Sequence, residues 1–555
     1  MALQFILGGS GSGKSEYVKK LAIDLATADR RNNILMIVPD QFTMQTQWDM
    51  ANSHPDGGII NIDVLSFSRL PRKVFEEVGQ PKRMLLDDTG KCLLIKRGAS
   101  KIKDDLLVLY KGMDNAGWAG EVKSVLSEFM QYNVSPEDLD TIKEKCTSDD
   151  LKKKLSDLKL LYEVFLKECE DKYITREELL DMFIERLPLS KKMEKSVVIF
   201  DGFTGFTPIQ IKAIVAVLNK AKDVYITFPF DNDPADKPNN YKKDDNSIFN
   251  LTKRNMSEIK DKYDPKGINI KDDIRLTTDY RHANNSELAF LEKNLFRKEN
   301  VSMKAAGAIE INKCSDVDSE CHIVCEAILK EIEKKNYRYR DIALICADMT
   351  KYRKPLEKYL SRYGIPYYLD ANRSIINNPL VKYILSITEI LKYNFQIEDV
   401  LKMLRTGVSP FEDEEIDRLE NYIYARGIKG AAKWKSEFSF TSAEQRDNGE
   451  NLSYMNSLRE RFIGIFEEIA SNGVRKRKLS EWIKQIYNIL ETGNVADKMG
   501  QLSEELKENY DISVSMEYAG IYNKIIELFD VLTDLMGEED YTIKELSDIL
   551  KVGFS

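Results

Sequence analysis

The segment Gly8-Gly9-Ser10-Gly11-Ser12-Gly13-Lys14-Ser15 constrains this chain more than any other. It follows the apolar run Leu3 to Leu7, and apolar residues then recur at Val18, Leu21, Ala22 and Leu25 with helical spacing. The chain therefore opens as strand, glycine loop, helix. The spacing fits G-x-x-x-x-G-K-[ST], in which successive backbone N–H groups turn inward around phosphate oxygens and the helix N-terminus adds its positive end. In such a loop Lys14 reaches the β and γ phosphates and the Ser15 hydroxyl ligates Mg²⁺. Gly8, Gly9, Ser10, Gly11, Ser12, Gly13, Lys14 and Ser15 are thus the expected phosphate-binding residues of an ATP·Mg²⁺ site.

Further buried-type runs lie at Ile34 to Val38, Ile59 to Leu65, Val197 to Phe200 and Val224 to Phe228, separated by helical stretches. Continuous apolar strands of this kind belong to a parallel sheet covered on both faces. A second alternation begins near Glu310, with strands near Ile311, over Ile342 to Ile345 and over Ile365 to Tyr368, and helices over Asp318 to Lys334 and Tyr352 to Tyr363. From Phe395 onward the pattern is helical, without strands to complete a second sheet, which predicts a piece of a longer protein. The expected fold class is α/β. Residues 1–84 and 192–304 form a first lobe, 85–191 a helical insertion within it, 305–394 a second and incomplete lobe, and 395–555 a second helical insertion. The polar stretch Asp231 to Asn246 reads as a surface loop.

Hydrophobic residues make up 43% and charged residues 31% of the 555, an ordinary globular balance. With 82 basic and 91 acidic side chains the net charge is -9, so a nucleic-acid partner must be met by a local basic groove. Cys92, Cys146, Cys169, Cys314, Cys321, Cys325 and Cys346 are odd in number and scattered, which fits a reducing compartment and makes the cytoplasm the expected location. No apolar run approaches a membrane span, and Met1 to Leu7 lacks the basic start of a signal peptide.

Asp201 closes the Val197 to Phe200 run, where a carboxylate holds Mg²⁺ through water opposite Ser15. A hydrolytic enzyme of this type normally places Glu next, to orient and deprotonate the attacking water. Here the next residue is Gly202, so no catalytic residue is assigned and ATP is expected to bind better than it turns over. The missing base and water positioning are worth about 3 to 5 kcal/mol of barrier. On this reading Gly202→Glu raises hydrolysis.

Asp201-Gly202-Phe203 with Gln210 resembles the Asp-Glu-Phe-Gln-Asp-Thr-Asn-x-x-Gln element of UvrD-like superfamily 1 helicases, with Gly202 replacing Glu. Asp279-Tyr280-Arg281-His282 is similar to their Asn-Tyr-Arg-Ser element, which implies nucleotide contacts from Tyr280 to the base and from Arg281 to the γ phosphate. Val38-Pro39-Asp40-Gln41-Phe42-Thr43, Leu65-Ser66-Phe67-Ser68-Arg69-Leu70, Phe206-Thr207-Pro208 and Gly364-Ile365-Pro366-Tyr367 together resemble the AddB family, the B subunits of ATP-dependent helicase/deoxyribonucleases. The resemblance implies two RecA-like lobes, 1A and 2A, with helical insertions 1B and 2B. It also implies a heterodimer with an A subunit that is the true helicase-nuclease. That complex processes double-strand breaks for recombination on single- and double-stranded DNA, with a role for the AddB chain in recognising Chi. Phe42, Thr43 and Phe67 fall in loops after strands, where superfamily 1 helicases grip single-stranded DNA.

The departures matter as much. The family's C-terminal nuclease and its [4Fe-4S] cluster have no counterpart before Ser555, so neither is expected of this chain. Only seven residues precede Gly8, which leaves adenine recognition unassigned, and no Gly-Asp-x-x-Gln coupling element follows Phe228. Cys321-His322-Ile323-Val324-Cys325 lies on a helical pattern without a second ligand pair, so no metal cysteine is assigned. His54, His282 and His322 have no nucleophile motif beside them, and Arg475-Lys476-Arg477-Lys478 reads as a solvated loop. The competing readings are an autonomous DNA-stimulated superfamily 1 ATPase or helicase, a small-molecule kinase, and a structural subunit whose phosphate loop is vestigial.

Overall fold

A computed structural model describes residues 2–554 except 114, 116, 231–246, 265–268, 297–300, 336, 370–374, 440–448, 471–475 and 510–511. The expected loop over Asp231 to Asn246 lies outside the described residues, as does Arg475. Six strands, β1 (Leu3–Gly8), β2 (Asn33–Ile37), β3 (Ile62–Leu65), β4 (Ser196–Phe200), β5 (Asp223–Pro229) and β6 (Ile274–Leu276), form one sheet in the order β3-β2-β4-β5-β1-β6. Every ladder of this sheet is parallel.

Alternation along each strand explains the unbroken apolar runs. Leu3, Phe5, Leu7, Val198, Phe200, Val224, Ile226 and Phe228 pack into the core on one face. Ile6, Ile34, Met36, Val197, Ile199 and Tyr225 pack on the other. With both faces covered, a strand has no solvent side on which a polar residue is stable. The second face is covered by the helices Lys14–Ala28 and Thr43–Ser53, and the first by Leu70–Val78, Arg176–Arg186, Pro208–Leu218 and Asn250–Tyr263.

The helical stretches of residues 85–169 and 380–554 share one continuous core. Within it the helix Asp88–Lys101 packs on Ile543–Gly553, and Arg97 Nη1 donates to Leu535 O at 2.7 Å. Arg477, expected in a solvated loop, is buried in a two-residue ladder with Asp540–Tyr541, donates to Gln485 Oε1 at 2.6 Å and lies over the Trp482 ring.

The second α/β lobe differs from expectation. The helices Val317–Lys335 and Met349–Arg362 form and pack through Cys321, Cys325, Leu356, Leu360 and Ile365. The three expected strands do not. Among the described residues, Ile311, Ile342 to Ile345 and Ile365 to Tyr368 join no ladder. Cover is incomplete: Ile365 is buried against the two helices, but Ile311, Ile345 and Tyr368 are each more than 90% exposed, with no ladder neighbour or second layer over them.

Candidate nucleotide-binding site

Parallel register decides which loops meet. β1 ends at Gly8, β4 at Phe200 and β6 at Leu276, so the loops that follow all leave the carboxyl edge of the sheet, where open α/β sheets bind ligands. After β1 the chain turns through Gly11 and Gly13, with φ of 77° and 83°, a left-handed region that favours glycine. At Gly11 space also forbids a side chain, since a Cβ would sit 2.6 Å from Arg281 Cβ and 2.8 Å from Asp279 Oδ1. The helix then starts at Lys14 without a side-chain cap, which leaves its positive end available to an anion.

Lys14 Nζ donates to Gly8 O at 2.9 Å and Gly9 O at 2.7 Å. Burial holds its amine below the usual 10.5, Asp201 and Glu292 oppose that, and Arg281 adds to it. Ser12 Oγ is buried with no hydrogen-bond partner. An orphaned buried hydroxyl inside a glycine loop is an atom that a phosphate oxygen would satisfy, so the residues present fit a nucleotide phosphate.

Asp201 sits at the tip of β4, 5% exposed, and its Oδ1 accepts from Thr227 Oγ1 at 2.6 Å. Thr227 lies on β5, the strand between β4 and β1, and fixes the carboxylate beside the loop that ends β1. Sequence reasoning missed Thr227, which reads as one more β-branched strand residue. Ser15 and Asp201 are the residues that would hold Mg²⁺, whose chemistry there is to neutralise phosphate charge. Gly202 has φ of 82°, and a Cβ on it would lie 3.4 Å from Pro39 Cδ. Its side-chain direction is therefore toward the segment that follows β2, on the opposite side of β4 from β5 and β1. The backbone N–H of Gly202 at the same time donates to Thr227 Oγ1 at 3.4 Å, so the residue borders Asp201 as well. Gln210 closes a capping box by accepting from Thr207 N at 2.9 Å, a structural task at the start of Pro208–Leu218.

Tyr280 and Arg281 are brought onto the phosphate loop because β6 pairs with β1, Gly8 opposite Leu276. Tyr280 N donates to Gly11 O at 3.0 Å, and a Cβ on Gly13 would lie 3.5 Å from the Tyr280 ring. Tyr280 is 71% exposed. Asp279 Oδ1 accepts from His282 N at 3.0 Å, which pins the turn. Glu292, on the helix Ser286–Asn294, accepts from Ser10 N at 3.1 Å. No sequence motif marked Glu292, because it reaches the loop only through tertiary packing.

The three residues expected to touch DNA separate. Phe42 is half-exposed, and Thr43 begins the helix Thr43–Ser53, its Oγ1 donating to Asp40 O at 2.9 Å. Phe67 is buried, with ring centroids 5.5 Å from Phe200, 5.4 Å from Phe203 and 5.9 Å from Phe206. It is packed into this aromatic cluster and reaches the cleft beside it only by the small part left exposed. The loop beyond it stays open: Ser68 Oγ donates to Asp40 Oδ1 at 2.9 Å, and Arg69, Arg72, Lys123 and Arg176 line a polar cleft of about 850 Å³.

Cys321 and Cys325 are buried between two helices, and burial pushes the Cys321 thiol up to about 11. His54 Nδ1 accepts from Asp56 N, His282 faces Asp279, and His322 faces Tyr363.

A family model described as ADDB, N-terminal, matches residues 5–292. Over its whole length the chain is 33% identical to the ATP-dependent helicase/deoxyribonuclease B subunit of Lachnoclostridium phytofermentans, covering 49% of that protein. It is 30% identical to the subunits of the same name from Alkaliphilus metalliredigens, covering 49%, and Clostridium acetobutylicum, covering 48%. The chain thus spans about half the length of the curated relatives it matches. No described helix is long and apolar enough to cross a membrane. The matched region contains the phosphate loop, Asp201-Gly202 and Asp279 to Arg281, and the chain therefore belongs to the AddB family, matching its N-terminal region.

Proposed function

We propose that this chain is the nucleotide-binding, helicase-like part of an AddB protein that works with an A subunit, as a heterodimer in the cytoplasm, on DNA double-strand breaks destined for recombination. It binds ATP·Mg²⁺ to stabilise and regulate that complex, and takes part in Chi recognition, rather than driving translocation. The observation that carries this reading is the pairing of a complete glycine-lysine loop at the end of β1 with a glycine at 202, which has no side chain to serve as a general base beside Asp201. Gly8 to Ser15 hold the phosphates, Ser15 and Asp201 the metal, and Tyr280 and Arg281 border the nucleotide. Residues 1–84 and 192–304 act as lobe 1A, 85–191 as 1B, 305–394 as part of 2A and 395–555 as 2B. Phe42 and Thr43, with the cleft lined by Arg69 and Arg72, face single-stranded DNA. Support for the partner and the DNA substrate comes from the relatives' name, which makes them B subunits of a helicase/deoxyribonuclease.

The test is nucleotide binding and turnover on one preparation, with Lys14→Ala as control and single-stranded DNA added or withheld. Saturable ATP·Mg²⁺ binding lost in Lys14→Ala, with negligible turnover, is the expected result. DNA-stimulated turnover lost in the same variant would instead make this chain an autonomous superfamily 1 motor.

A further inference from the structure

The helix Ser286–Asn294 touches two places that matter. Near its end, Glu292 Oε1 accepts from the backbone N–H of Ser10, in the middle of the phosphate loop, at 3.1 Å. In its first turn, the buried Glu287 accepts from Ala306 N at 3.1 Å and Ala308 N at 2.6 Å. Residues 306–308 lie on the connection that leads from the first lobe to the helix Val317–Lys335. One rigid helix therefore joins the phosphate loop to the start of the second unit.

The chemistry of the Glu292 contact is that of a phosphate oxygen. A carboxylate is an anion with acceptor oxygens, and it is drawn to the same loop N–H groups, helix end and lysine as a nucleotide phosphate. Lys14 feels Glu292 electrostatically, and its ammonium is folded onto Gly8 O and Gly9 O. The Ser10–Glu292 contact lies at the exposed rim of the loop, and Glu292 and the β/γ phosphates of ATP carry like charge beside the part-buried Lys14, so the two repel when both occupy the loop.

We propose that Glu292 is an intramolecular stand-in for phosphate that closes the empty loop, and that ATP binding expels it, releasing the helix Ser286–Asn294 and with it the Glu287 grip on residues 306–308. This rests on the nucleotide-binding reading above. Nucleotide occupancy is thereby reported to the second unit without hydrolysis, which suits a protein whose Gly202 offers no base.

The test compares wild type with Glu292→Gln, which keeps size but removes charge, and Glu292→Ala, using calorimetric binding of ATP·Mg²⁺, ADP·Mg²⁺ and AMP. Glu292→Gln and Glu292→Ala are expected to tighten ATP binding 3- to 10-fold, ADP less, and AMP not at all. Hydrogen exchange of residues 286–308 is expected to rise on ATP addition in wild type, and to be raised already in both nucleotide-free variants. Unchanged or weaker ATP binding in both variants, while Lys14→Ala still abolishes binding in wild type, would overturn the stand-in and leave the nucleotide reading intact. Absence of Lys14-dependent binding in wild type and in both variants would overturn the nucleotide reading and this inference together. Binding that appears only once Glu292 is neutralised would support both.

Discussion

Gly202→Glu restores in sequence what active superfamily 1 motors carry, and the backbone dictates what it does here. Gly202 has φ of 82°, where a residue with a Cβ costs about 1 to 2 kcal/mol. Space is not the obstacle, because a Cβ would lie 3.4 Å from Pro39 Cδ, an ordinary contact. Direction is. Pro39 follows β2, whereas the phosphate loop follows β1, and in the order β2-β4-β5-β1 these lie on opposite sides of β4. A correctly placed base would raise turnover by about 10² to 10⁴. We expect Gly202→Glu to stay within about 3-fold of wild type, well below that range. Gly202→Ala carries the same backbone cost, so both variants should lose about 1 to 2 kcal/mol of stability, and their difference isolates the carboxylate. Phosphate release with and without single-stranded DNA, alongside denaturant unfolding of the three proteins, measures both. A gain above about 10² in Gly202→Glu over Gly202→Ala, or a Gly202→Ala as stable as wild type, would refute the geometric argument.

Phe67→Ala should destabilise the first lobe by about 3 to 5 kcal/mol, since it empties a buried aromatic cluster, whereas half-exposed Phe42→Ala should leave unfolding within about 0.5 kcal/mol and weaken single-stranded DNA binding by about 1 to 3 kcal/mol. Unfolding curves and DNA titrations of the two variants check the contrast. ATP affinity should fall as pH rises through the free-protein pKa of Lys14, because ATP favours the charged amine; burial holds that pKa below 10.5, so the loss begins below the pH at which an ordinary lysine titrates. Lys14→Arg, which stays charged, should show no such fall in binding titrations over the same range. Lys91 is buried and paired with Glu177 at 2.8 Å, tying Asp88–Lys101 to Arg176–Arg186. Lys91→Met alone should cost about 3 to 5 kcal/mol by stranding the carboxylate, and Lys91→Met with Glu177→Leu much less, as read by thermal unfolding.

The glycine loop, the order of strand, loop and helix, and five of the six sheet strands were legible in the amino-acid order alone, because each is encoded locally. Glycines at 11 and 13 are needed where φ is positive, and apolar runs are needed where both faces of a strand are covered. The family was legible too, in several short motifs spread in order along the chain. Strand β6 was not, since Ile274–Leu276 is three half-buried residues without an apolar run, yet its pairing with β1 is what delivers Tyr280 and Arg281 to the loop. Packing in three dimensions made Phe67 core and Phe42 surface, because both read as an aromatic residue in a loop after a strand. The same holds for Thr227 beside Asp201, for Glu292 on Ser10, and for the left-handed backbone at Gly202. Each depends on which strands are neighbours, and adjacency in a parallel sheet is set by long-range packing that no local spacing records.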